Sequence, residues 1–172
     1  MDTAAPAFSL AQFTRPSRWI TRERPKIDRI ACPWLVLRFI DPSAEFIDVP
    51  SPAVFGEARR LNAIAYDIPG APISHEGALC SFDTLKRAFD LHDPGLATLA
   101  RIVRGADTDR PDLAPQSAGL LAFSLGLSRL YPDDHAMLFA ALPLYDALDA
   151  WCKWEQGESH SWNLAAMRGT AQ

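Results

Sequence analysis

The chain has few cysteines, no long apolar run and no excess of positive charge. Its three cysteines, Cys32, Cys80 and Cys152, are an odd number without a CxxC pair. That is a poor disulfide framework and fits a reducing compartment, so the cytoplasm is the expected location. No stretch approaches the roughly 18 consecutive apolar residues of a membrane span, and the best candidate, Leu138 to Tyr145, is broken by Pro143. Met1 to Phe13 carries an acidic residue at once and no sustained apolar segment, so a secretory leader is not expected. Lys plus Arg is 17 against 21 for Asp plus Glu, a net charge of −4 and a pI near 5.5. This argues against a protein that coats nucleic acid or an anionic membrane. GxxxxGK[ST], GxGxxG and GxSxG are all absent, as is a helix-turn-helix with a basic second helix. No nucleotide cofactor, serine hydrolysis or DNA binding by this chain alone is therefore expected.

What is present is one compact domain's worth of chain: 172 residues with 48% apolar content. At that length a fold hides roughly 70% of the surface of its unfolded chain, so no staple is needed to hold it. Fourteen prolines punctuate the periodic segments. Residues 1–16, rich in Ala, Pro and Ser, read as a flexible arm, residues 17–157 as a single domain and 158–172 as a tail. Strands are expected at Arg18 to Thr21, Glu45 to Val49 and Ile64 to Ile68. Pro33 suits the first turn of a helix that Asp41-Pro42 ends, and another helix covers Ala53 to Leu61. Ser81 reads as the N-cap of a helix through Phe89, with Asp83 favourable in its first turn. Leu96, Leu99, Ile102 and Val103 have helical spacing, with Gly105 as the stop. Ala118 to Leu130 is apolar enough for a buried helix, and Asp133 caps a last helix that presents Met137, Leu138, Ala141, Leu142, Tyr145, Leu148, Trp151 and Cys152 on one face. The expected class is α+β, predominantly helical, with a small sheet layer in the N-terminal half and a helical C-terminal half.

Charge is unevenly placed. Arg15 to Arg29 holds six cationic residues against Glu23 and Asp28, a local +4, and the remaining eleven cations against nineteen acids give −8. Guanidinium forks match tetrahedral oxyanions, so Arg22, Arg24, Lys26 and Arg29, with Arg104, are the candidate anion ligands. A solvated basic loop is the plain alternative. Cys32 follows this segment, and neighbouring cations favour a reactive thiolate, although free cysteines mostly pack as small hydrophobes. His75, Glu76 and Cys80 place imidazole, carboxylate and thiol in one loop. Cys32, His75 and Cys80 are the candidate ligands of a transition metal such as zinc, with Asp28 or Asp107 as further options, and Asp28, Glu76 and Asp107 are the candidate orienting groups behind them.

Three segments in this order resemble one family: R-P-K-I-D-R-I-A-C-P-W-L from Arg24, H-E-G-A-L-C-S-F-D from His75 and V-R-G-A-D-T from Val103. Together with Ala114-Pro115-Gln116, Gly119-Leu120, Asp133-Asp134 and Tyr145-Asp146-Ala147-Leu148, they are similar to the C-terminal domain of the ChrB family of chromate-resistance proteins, over about Trp19 to Trp154. The resemblance implies a role in chromate resistance or sensing beside a chromate transporter. Relatives are described as regulators of chromate-resistance genes, and some carry the domain fused to a sulfurtransferase-like module. The separate N-terminal domain of full-length ChrB has no counterpart here, which points to a separate DNA-binding or sulfurtransferase-like protein as partner.

The leading expectation is a binding module that holds a small oxyanion, chromate or a sulfate-like ion, beside a Cys/His metal or thiol site. The alternative is a metal- or thiol-dependent enzyme acting on an oxyanion or sulfur substrate, for example in chromate reduction, with Cys32 or Cys80 as nucleophile or electron donor and His75 as acid and base. A third is a partner-binding domain in which these residues only pack. Five tryptophans and nine phenylalanines suffice for a homodimer face or for the core.

Overall fold

A computed structural model describes residues 8–157; the tail expected at 158–172 and the first seven residues of the arm lie outside them. The rest of the arm packs. Phe8 and Phe13 both contact the Phe89 ring, and Arg15 donates to the carbonyl of Ile40.

Three parallel strands, β1 (Arg18–Arg22), β2 (Glu45–Val49) and β3 (Ile64–Ala65), form a sheet in the order β2-β1-β3. β1 is central and paired along both edges, and both its faces are covered, so its successive side chains feed two cores. Trp19 enters the large one, built with α1 (Asp28–Leu35), α3 (Ser81–Ala88), α4 (Leu96–Asp107) and α6 (Asp134–Ala150). Ile20 enters a smaller one under α2 (Val54–Leu61). The last long helix, α5 (Gln116–Leu130), lies against α4 and α6. The fold is α+β and predominantly helical, with the sheet in the N-terminal half, as the patterning predicts.

Several local expectations are corrected. Pro33 is inside α1, which begins at Asp28, and not in a first turn. A proline there removes the donor that would serve the Arg29 carbonyl one turn back. The Tyr66 hydroxyl donates to that carbonyl instead, at 3.3 Å. β3 stops at Ala65 because Asp67 turns to a left-handed φ of 49° and leaves the ladder. Cys80, not Ser81, caps α3; its N–H and Sγ both donate to the Asp83 carboxylate. Gly105 does not stop α4 but lies inside it, where a Cβ would stand 2.3 Å from Ser117 Oγ of α5, so the two helices meet too closely for a side chain. α5 buries only Ser117, Leu120 and Ser124, leaving Phe123, Leu125 and Leu130 exposed. Asp133 does cap α6, accepting from Ala136 N–H at 2.7 Å.

Replacing Tyr66 with Phe should destabilise the protein by about 1 kcal/mol, the ordinary net value of a buried hydrogen bond. In a Pro33→Ala background the helix supplies its own donor, so urea unfolding of the double-mutant cycle should show a smaller loss.

Candidate binding cleft

Position 27 sets the geometry of the cleft. Ile27 holds φ at 36°, which a β-branched residue rarely adopts. The Ser124 hydroxyl accepts from its N–H and the Tyr145 hydroxyl donates to its carbonyl, fixing the turn from both sides. The next residue, Asp28, opens α1 with its side chain fully buried. Its carboxylate accepts from the N–H groups of Ser81 and Phe82, at 2.5 and 3.2 Å, and so anchors the first turn of α3.

His75, on the loop before α3, brings Nε2 to 3.0 Å from Asp107 Oδ2, 3.5 Å from Asp28 Oδ2 and 3.5 Å from Asp67 Oδ1. Asp107, at the end of α4, also accepts from the N–H of Asp28. Asp67 is held by the Ser81 hydroxyl at 2.7 Å and by the guanidinium groups of Arg22 and Arg29, at 3.2 and 3.4 Å. One atom from each of Asp28, His75 and Asp107 lies within 4.8 Å of the other two, close enough to hold a cation. Above them opens a cleft of about 510 Å³, lined among others by Arg22, Lys26, Arg29, Asp67, His75 and Asp107.

Burial and crowding of like charges set the protonation. Asp107 is pushed up to about 7 by burial and by the charges of Asp28 and Asp67. Burial and Asp28 also raise Asp67. The hydrogen bond to Asp28 is the largest influence on His75 and, with the charges of Asp28, Asp107 and Asp67, lifts it to about 9 against partial burial. Asp107 is nearer, yet Asp28 pulls harder because its charge lies wholly in the interior. Burial and the adjacent Arg22 guanidinium lower Arg29 below the usual arginine range.

Of the cationic candidates, Arg22, Lys26 and Arg29 meet at the cleft and two others do not. The Arg24 guanidinium is bound to the carbonyls of Ser128, Tyr131 and Pro132 and to Asp134, closing the end of α5 onto the start of α6. Arg104 pairs with Asp83 at 3.3 Å. Glu76 is exposed and pairs with Arg87. Cys32 and Cys80 stand outside the Asp28–His75–Asp107 set and are buried, and burial followed by Asp28 raises both thiols far from the thiolate range. Asp67 is the cleft residue that sequence reasoning misses. Its one signal is a lone acid in the run Ile64 to Ile68, directly before Pro69-Gly70.

The family model for the ChrB C-terminal domain matches residues 19–152. The chain belongs to that family. Protein ChrB of Cupriavidus metallidurans (strain CH34) is 34% identical over 124 residues, covering 70% of this chain and 36% of that protein. The match thus spans about a third of the curated relative. No solved structure matches. The ChrB-type segments at Arg24, His75 and Val103 supply Lys26, Asp28, Arg29, His75 and Asp107, so three stretches far apart in sequence converge on one cleft.

Two outcomes follow. The native protein should be nearly silent to a thiol reagent such as Ellman's, whereas all three thiols react once it is denatured. In metal-free buffer with chelator, stability should fall as pH rises from about 6.5 to about 9. The folded His75 binds its proton more tightly than the unfolded one, so its contribution is complete below 6.5 and lost through 9. Asp107, also raised, works in the same direction up to about 7. Thermal melts of wild type and His75→Ala across this range should differ in slope.

Proposed function

We propose that this ChrB-type domain serves chromate resistance by binding a small tetrahedral oxyanion, chromate or its sulfate-like analogues, in the cleft edged by Arg22, Lys26 and Arg29. The observation that carries this reading is the meeting of these three cations on one open cleft in a chain of net charge −4. Burial and the nearby Arg22 guanidinium lower Arg29, a crowding of like charges that an anion relieves. Arg22 binds Asp67 through Nη2, and its buried Nε has no acceptor among the described residues. Lys26 is exposed at the rim and contributes a mobile charge.

Binding is favoured over thiol chemistry because Cys32 and Cys80, the residues that would donate electrons or attack, are buried and held as thiols. An anion at the rim would meet His75 beneath it and not a sulfur. The family membership supports the chromate assignment, and the cationic edge supports the oxyanion class.

Calorimetry with chromate and with sulfate tests the reading. Binding of at least one is expected, weakened about tenfold by Arg22→Ala or Lys26→Ala, which each remove one charge-assisted contact, and unchanged by Arg104→Ala. Absence of heat with both anions, or equal binding in all three variants, defeats it.

A further inference from the structure

Two carboxylates on the cleft floor share a single cationic partner. Among the described residues, Asp67 has Arg22 and Arg29, but Asp28 and Asp107 pair with no lysine or arginine, only with His75. Asp28 is fully buried, and a buried carboxylate without a dedicated cation is costly. His75 answers it, but Asp107 and Asp67 compete for the same nitrogen. One imidazole N–H points in one direction, whereas three carboxylate oxygens face the same Nε2 between 3.0 and 3.5 Å. A cation with several coordination positions matches that convergence better than one proton does.

The spacing fits such an ion. With bonds of about 2.1 Å to nitrogen and oxygen, neighbouring ligand atoms around a metal lie about 3.0 Å apart in octahedral and about 3.4 Å in tetrahedral geometry. Nε2 of His75 is 3.0 Å from Asp107 and 3.5 Å from Asp28. The ligands are also held in advance: Asp28 by the backbone of α3, and Asp107 by the N–H of Asp28. Three side chains leave further positions open toward the cleft.

We propose that Asp28, His75 and Asp107 form a site for one first-row divalent cation of the Mn2+, Fe2+ or Zn2+ kind. One imidazole and two carboxylates make a nitrogen and oxygen donor set, which suits these ions and not those that need thiolates. The site is carried by the ligand geometry and stands or falls independently of the anion reading. A bound cation would cancel the negative floor below Arg22 and Arg29 and leave a coordination position facing the rim.

The test uses the full chain, freed of metal with chelator and titrated with Mn2+ by electron paramagnetic resonance and with Zn2+ by calorimetry. The expected result is one ion per chain, bound at least about tenfold more weakly in His75→Ala and in Asp107→Asn, as for the loss of a metal ligand, and unchanged in Cys32→Ser. His75 is exposed, so its replacement should leave the fold intact, which circular dichroism verifies. Failure to bind either ion, or binding that survives both ligand variants, overturns the proposal. Chromate titrations with and without Mn2+ keep the two readings apart: an anion bound without any metal site refutes only the cation, and a metal site without anion binding refutes only the oxyanion.

Discussion

The buried carboxylate of Asp28 is the point on which the molecule turns. It joins the start of α1 to the start of α3 through two backbone N–H groups, and one of the accepting oxygens, Oδ2, also faces His75. A carboxylate with no water around it must be answered by fixed donors, and here those donors are two N–H groups at the start of α3 and one imidazole. The position of α3 and the position of the cleft floor are therefore one constraint. Ile27, bent into an unfavourable conformation one residue earlier, shows how closely the chain must be aimed to deliver this group.

Around that point the sheet and helices act as a frame. β1, covered on both faces, fixes where Arg22 leaves the strand; β3 ends early so that Asp67 can turn toward Arg22 and Arg29. α4 approaches α5 closely at Gly105 and ends two residues later at Asp107, beside His75. The cleft is a meeting of element ends, where side chains have the freedom that helix and strand interiors lack.

Much of the frame was legible because its signals are local. Spacing of apolar residues, the Asp133 cap and the proline stops each involve neighbours in the chain, and they locate most elements. The rest depends on partners that no window contains. A helix through Pro33 is tolerable because Tyr66 answers the stranded carbonyl from 37 residues away. The charge of Arg24 suggests an anion ligand, yet its guanidinium is consumed by carbonyls more than a hundred residues distant. The spacing of His75 to Cys80 correctly suggests one loop, but the cap of α3 turns the thiol inward, and the carboxylates that join the imidazole come from Asp28, Asp67 and Asp107 on three other segments.

The anchoring of the basic segment has a consequence for how the chain emerges during synthesis. Every residue of the cleft has been synthesised once Asp107 has been added. The turn that aims Asp28, however, is held by Ser124 and Tyr145, and the preceding Arg24 is seated on Ser128 and Asp134. A nascent chain halted after Asp107 carries all of the chemistry but lacks the partners that hold this turn. The finished turn therefore depends on partners from the last two helices, made after every cleft residue.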